Sequence, residues 1–267
     1  MRQITVCAEM DWDDEVDVVC TGAGIAGLAV AITAIDEGAD VLVADPPAAA
    51  PDARWWPGDC GDVDTAAYLD ELTADFDTTG LGYDQDDLPV RTVLTDTERR
   101  NTVPPFIGSR MRDWAARCIG SPSGFLYTRV TEWPTTTVAL RGGETWEVAD
   151  LGAVTPDDGD PVAWLHNWLS DEAQERDVER FPVHCLQRLV LDNGAVSGAV
   201  FDTTSGPFSV RARHGVLIGP STRSSRGRGP AGHPSPDTGL RAALVGKAGS
   251  RFGRVELLNF ATAAEKR

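Results

Sequence analysis

The distribution of apolar residues predicts a strand–turn–helix–strand unit near the start of the chain. Positions 16–20 are mostly apolar, as is typical of a buried strand, and a glycine-rich turn then leads into an apolar stretch that continues through Ile32. The apolar residues 41–44 predict a second strand, which ends at the carboxylate of Asp45. Two buried strands joined by an apolar helix are typical of a parallel βαβ unit.

The middle of the chain has weaker patterns that predict three more helices. Apolar residues at helical spacing predict a helix over 65–76, and the second half of 104–120 has a similar pattern. The stretch 161–176 begins with Pro161, a residue favoured at the first position of a helix. The intervening stretch 130–148 predicts irregular or strand-forming chain with a Gly-Gly turn.

The third quarter of the chain predicts a β-meander. A strand over 181–190 leads to Asn193-Gly194, a strong hairpin signal, and a returning strand follows over 195–202. A third strand over 208–213 and a buried fourth over 215–221 would bring the chain back to the parallel sheet. The tail, 243–266, predicts a strand-like start and a helical end.

Composition excludes several classes of protein. The chain has 267 residues, 42% of them apolar, so it can form a substantial core, and we expect one α/β domain over 1–267. Its net charge of −17 argues against a nucleic acid or a membrane as partner. Five scattered cysteines have neither zinc-binding spacing nor a disulfide pattern, so no metal is expected. Without a signal peptide or an apolar run long enough to span a bilayer, the sequence predicts a cytoplasmic protein.

The glycine-rich turn has the spacing of an adenine-dinucleotide site. Gly22 permits a tight turn, Gly24 lets the backbone approach a pyrophosphate, and Gly27 lets the helix pack against the strand. The free N–H groups of the helix N-terminus attract phosphate. Asp45 lies 23 positions after Gly22, where a carboxylate accepts hydrogen bonds from the adenosine ribose. The alternative is a glycine-rich turn of some other α/β unit.

Residues 12–45 and 164–221 resemble the flavoprotein family of fumarate reductase, succinate dehydrogenase and 3-ketosteroid dehydrogenases. The acidic residues before the first strand look most like the ketosteroid-dehydrogenase branch. The resemblance implies a three-layer, Rossmann-like FAD-binding α/β fold with a β-meander crossover, and noncovalent FAD. It implies that Leu186 meets the adenine and that Gly219 lies near the flavin phosphates. The candidate cofactor-binding residues are therefore Gly22, Ala23, Gly24, Ile25, Ala26, Gly27, Asp45, Pro46, Leu186 and Gly219.

One departure from the family leaves the function open. Family members are longer and carry a substrate-capping domain after the meander, whereas this chain has only a Gly/Pro/Ser/Arg-rich segment, 221–238, expected to be a flexible loop. The first hypothesis is an FAD-dependent oxidoreductase acting on a small hydrophobic or steroid-like substrate. A second is a catalytically silent, cap-less FAD-fold protein that acts as a binding or interaction subunit. A third is an NAD-binding Rossmann enzyme, which would not need the meander.

No residue is assigned as catalytic. Tyr127 and Arg129 could supply a proton and an anion clamp, although packing and surface roles are favoured for them. Gly249 and Arg251 could be a degenerate cofactor contact, and His166 is interpreted as structural.

Two further features point to possible partners. A protein partner could complete the site near Trp55 and Trp56, because paired indoles in a loop are costly to expose. The arginines of the 221–238 loop could contact phosphate, but the acidity of the chain favours a solvated linker.

Overall fold

The computed structural model describes residues 10–48, 61–74, 88–94, 108–129, 135–140, 144–157, 159–223 and 239–261. The helices are α1 (Ile25–Asp36), α2 (Val63–Thr73), α3 (Gly108–Ile119) and α4 (Pro161–Glu175). The strands are β1 (Asp14–Cys20), β2 (Val41–Asp45), β3 (Val90–Leu94), β4 (Gly124–Tyr127), β5 (Thr136–Leu140), β6 (Thr145–Ala153), β7 (Arg180–Pro182), β8 (Cys185–Asp192), β9 (Ala195–Thr203), β10 (Gly206–Ile218), β11 (Leu240–Gly246) and β12 (Phe252–Ala261).

The strand–helix–strand unit predicted from the sequence forms the parallel part of the sheet. β1 lies between β10 and β2, and β7 pairs with β2, all in parallel. Helix α1 joins β1 to β2, and its residues 25–34 are buried. Such complete burial explains why α1 has almost no polar face, since it packs against the sheet on one side and α4 on the other. Parallel pairing brings the carboxyl ends of β1, β2 and β10 to the same edge of the sheet.

The other half of the sheet is mixed and closes on itself. Five strands form a ring in which each is hydrogen-bonded to the next, in the order β12–β11–β6–β5–β3 and back to β12. β4 connects this ring to the parallel half by pairing with both β12 and β10. The ring was not predicted from the sequence.

Two hydrophobic cores lie on the two faces of the sheet. The first contains α1, α4 and residues of β1, β11 and β12 that face them. The second contains residues of α2, α3, the β8–β9 hairpin and the opposite face of the strands. The meander therefore covers the face opposite α1, where its apolar positions are buried.

The mixed α/β class is confirmed, as are the four predicted helices and the hairpin at Asn193-Gly194. The three-layer, Rossmann-like arrangement stays a prediction. The strands expected over 208–213 and 215–221 are one strand, β10, which continues through Gly215 at φ 143°. Where the tail is described it contains no helix, because β12 continues as a strand to residue 261. Residues 262–267, where the expected helical end would finish, lie outside the described residues. No helix among the described residues is long and apolar enough to cross a membrane.

Candidate functional site

The glycine-rich turn connects the end of β1 to the start of α1. Gly24 is the N-cap residue, with extended backbone, and no side chain caps the helix. The first turn contains no acidic residue, and the N–H groups of Ile25, Ala26 and Gly27 have no acceptor among the described residues. These three residues are buried. Buried N–H groups need an acceptor, and a helix N-terminus favours an anion, so the turn has the chemistry of a phosphate site.

Close contacts with backbone atoms explain why Gly24 and Gly27 are glycine, and Gly22 is packed against a side chain. A Cβ added to Gly27 would lie 1.8 Å from the carbonyl oxygen of Gly22, so only glycine lets the helix begin this close to the turn. A Cβ on Gly24 would lie 2.2 Å from the carbonyl oxygen of Pro220, and one on Gly22 would lie 2.9 Å from Ser221 Oγ. The turn is therefore packed against the segment that follows β10.

Asp45 ends β2 at this edge of the sheet, as predicted. Its carboxylate is paired with Arg223, whose guanidinium Nη2 contacts Asp45 Oδ1. Both side chains are partly exposed. Arg223 falls within the predicted flexible loop 221–238, and in the structure its side chain contacts Asp45. The prediction for the loop as a whole stays a prediction. Residues 221–223 lie against the turn, whereas 224–238 lie outside the described residues.

His166 connects α4 to the glycine-rich turn. The side chain is buried, and its Nε2 lies 3.0 Å from the carbonyl oxygen of Ala23. A carbonyl oxygen only accepts hydrogen bonds, so Nε2 must carry the proton. Burial lowers the pKa of His166, and the bond to Ala23 opposes that shift. The histidine is structural, as expected, but the sequence did not indicate that the structure it supports is the turn.

The structure brings together most of the predicted cofactor-binding residues. Gly219 follows β10, and a Cβ added there would lie 3.5 Å from the Ala26 side chain. Pro46 follows Asp45 directly and is partly buried. Leu186 lies near the start of β8, three positions after Val183, whose N–H donates to the Asp45 carbonyl oxygen at 3.4 Å. Leu186 itself is half-buried against the second core, so its predicted contact with adenine stays a prediction.

The candidate catalytic groups lie elsewhere. Tyr127 and Arg129 line a cavity of about 60 Å³ together with Gly249 and Arg251. Tyr127 pairs with Leu217 on β10, two positions before Gly219, so the cavity lies back along the strand from the turn.

Internal contacts already involve both arginines of this cavity. Arg129 donates to the carbonyl oxygen of Arg213 at 2.8 Å, and Arg251 contacts the Tyr68 hydroxyl at 3.4 Å. Burial raises the pKa of the Tyr127 phenol, which therefore holds its proton at neutral pH. The favoured packing role of Tyr127 agrees with its burial. Trp55 and Trp56, the predicted partner contacts, lie outside the described residues.

No protein-family model and no curated protein sequence matches the chain. Similar solved structures include 3-ketosteroid-Δ4-(5α)-dehydrogenase from Rhodococcus jostii RHA1 in complex with 4-androstene-3,17-dione, with 22% identity and a TM-score of 0.33 over 80% of this chain and 47% of that one. They also include a flavocytochrome c3 fumarate reductase, with 17% identity and a TM-score of 0.32 over 75% of this chain and 33% of that one. A myxobacterial chondrochloren halogenase, a variant of FAD-dependent halogenases, has 12% identity and a TM-score of 0.32 over 94% of this chain and 54% of that one.

The chain spans about half or less of the length of each of these proteins. At such identities and TM-scores the likeness assigns neither a family nor an activity. The functional argument therefore rests on the residues of the site.

Proposed function

We propose that this chain binds FAD noncovalently and belongs to the oxidoreductase class of flavoproteins. The observation that carries the proposal is the buried, uncapped N-terminus of α1 beside a glycine-rich turn, with a carboxylate at the end of the next strand. The N–H groups of residues 25–27 would bind the pyrophosphate, and Asp45 would accept hydrogen bonds from the ribose hydroxyls. A bound flavin supplies hydride or electron transfer.

The chain's own residues fit the binding role better than a complete active site. The ionisable side chains described beside the turn are those of the Asp45–Arg223 pair and of His166, whose Nε2 donates to the Ala23 carbonyl oxygen. None of them is free to act as a proton donor to a substrate in this arrangement. We therefore propose that reaction with a small hydrophobic or steroid-like substrate depends on groups from elsewhere in the chain or from a partner protein. A catalytically silent binding subunit is the second candidate, and it is favoured by this lack of a free proton donor.

The first test is the visible absorption spectrum of the purified protein, before and after addition of FAD. Bands at about 370 and 450 nm, or saturable binding of added FAD, are the expected results for a flavoprotein. A colourless protein that binds no added FAD would disprove the proposal, and saturable binding of NAD instead would favour the Rossmann-enzyme hypothesis. Bleaching of the bands by a candidate donor distinguishes an active oxidoreductase from a silent subunit.

The residue assignment is tested with Asp45→Asn. Loss of the carboxylate should weaken FAD binding by about 1–3 kcal/mol, the value of a hydrogen bond to a charged group. Asp40→Asn is the matched control, since Asp40 lies just before the same strand and its side chain is 76% exposed. Equal FAD affinity of the two variants would show that the Asp45 carboxylate makes no net contribution to FAD binding.

A further inference from the structure

The contact between Arg223 and Asp45 places a cation where the ribose is proposed to bind. The two residues are 178 positions apart, and the guanidinium contacts Asp45 Oδ1 directly. Ribose hydroxyls and a guanidinium are both hydrogen-bond donors, and a carboxylate accepts from either. One cannot fully occupy the carboxylate while the other is bound in the same position.

Arg223 is also held close to the N-terminus of α1. Its neighbour Thr222 is buried, and the Thr222 carbonyl oxygen would lie 3.3 Å from a Cβ on Gly24, the N-cap residue. The chain just before Arg223 is thus packed against the turn, which limits how far the side chain can move. The Nε atom of Arg223 is buried and has no acceptor among the described residues.

Charge makes this position more favourable for an anionic ligand than for a neutral one. The positive end of the α1 dipole and the Arg223 guanidinium lie at the same turn, and α1 has no acidic residue in its first turn to balance them. If Arg223 leaves Asp45, its guanidinium needs another acceptor. Phosphate oxygens match the planar donor pattern of a guanidinium, and one of them would also supply an acceptor for Arg223 Nε.

We propose that Arg223 competes with the adenosine ribose for Asp45 and, once displaced, binds a phosphate of the ligand. Arg223 would thereby favour adenine ligands that carry a pyrophosphate over adenosine. Adenosine would have to break the Arg223–Asp45 ion pair without offering the guanidinium another acceptor. This inference rests on the proposed function, because it concerns the same site. It adds a selectivity role for a residue that the glycine-rich motif does not include.

The test compares adenosine and ADP, measured by calorimetry on the wild-type protein and on Arg223→Gln. Without the guanidinium, adenosine should bind more tightly because Asp45 is free, and ADP should lose the phosphate contact. The preference for ADP over adenosine should therefore fall by about tenfold or more. Arg213→Gln is the matched control, since it removes one positive charge from β10, where the exposed Arg213 side chain pairs with Glu15 of β1. It should leave both affinities unchanged.

The outcomes separate this inference from the proposed function. If the wild-type protein binds FAD but the ADP preference is the same in Arg223→Gln, only the selectivity role is wrong. If adenosine binds more weakly to Arg223→Gln, the arginine supports Asp45 instead of competing with the ribose, and the inference is again overturned. If neither protein binds FAD or ADP, the proposed function fails and the inference falls with it. Binding of these ligands by Arg223→Gln alone would overturn the inference, because the arginine would then block the site without binding a phosphate.

Discussion

A buried ion pair inside the five-stranded ring gives a prediction that is independent of any ligand. Arg254 and Glu256 lie two positions apart on β12, so their side chains point to the same face of the strand. Both side chains are completely buried, with Arg254 Nε 2.5 Å from Glu256 Oε1. Arg91 approaches the other carboxylate oxygen, Oε2, at 3.4 Å, and the Arg254 guanidinium lies 5.5 Å from the centroid of Trp114.

The cost of breaking this pair follows from its burial. Glu256→Gln keeps the shape of the side chain but leaves the Arg254 guanidinium without its counter-charge in a site closed to water. Removal of one partner of a buried pair typically costs about 3–5 kcal/mol. The Arg91 contact adds little, because the Arg91 side chain is 38% exposed and solvent screens its charge. We therefore expect Glu256→Gln to lower the free energy of unfolding by about 3–5 kcal/mol.

The assay is urea unfolding at about pH 8. Burial raises the pKa of the Glu256 carboxyl, and the charges of Arg254 and Arg91 oppose that shift, so a basic pH favours the ionised pair. Asp150→Asn is the control, because Asp150 pairs with Arg241 on the same ring but its side chain is 46% exposed. Its loss should cost at most about 1 kcal/mol.

Replacement of both partners distinguishes a buried charge from a simple packing role. Arg254→Met combined with Glu256→Leu removes both charges and should recover most of the stability lost in Glu256→Gln. A loss below about 1 kcal/mol for Glu256→Gln, equal to that of the exposed control, would refute the reasoning. A double variant less stable than the single one would show that the pair contributes through geometry that apolar side chains cannot replace.

Two further predictions concern the turn. Burial lowers the pKa of His166 in the folded protein, so His166 takes up a proton in the unfolded chain at a higher pH than in the folded one. The free energy of unfolding of the wild-type protein should therefore be constant above about pH 6.5 and fall below it. The fall should be steeper than in His166→Gln. Unfolding titrations at several pH values test this, with His184→Gln, a change at an exposed histidine, as the control. Identical pH profiles of stability for the wild type and His166→Gln would contradict the prediction. Gly24→Ala should lower the free energy of unfolding by about 1–3 kcal/mol, because the added Cβ would overlap the Pro220 carbonyl oxygen. Thermal unfolding tests this, with Gly61→Ala as the control that should lose little stability because the space around Gly61 is open. Equal losses of stability in the two variants would show that the segment after β10 moves aside at little cost.

The sequence predicted the parts of the fold that depend on neighbouring residues. The βαβ unit was predictable because α1 is buried on all sides and therefore apolar throughout, and because the glycine spacing is local. The hairpin at Asn193-Gly194 was predictable because both residues adopt positive φ, at 50° and 81°, which these two residue types tolerate best. The presence of Asp45 at the end of β2 follows from the same short pattern.

The parts that the sequence did not predict depend on contacts between distant residues. The tail contains charged residues among apolar ones, a pattern that fits one face of a helix as well as it fits a strand. β12 is a strand because β11, β3 and β4 provide hydrogen-bonding partners, and the buried Arg254–Glu256 pair accounts for its charges. Ring closure cannot be read from local periodicity, since β3 and β12 are separated by more than half of the chain.

The candidate site shows that the glycines of a motif can have a structural reason besides the ligand. The glycine pattern is usually explained by the ligand, yet here Gly24 is required by the carbonyl oxygen of Pro220 even before a pyrophosphate is considered. A glycine variant that loses FAD would therefore report on packing as much as on binding. Charge-changing variants of Asp45 and Arg223 are more informative, because both side chains are partly exposed and can change without repacking the turn. If FAD affinity responds to these two charges while stability does not, the site is defined by its chemistry and not by its fold alone.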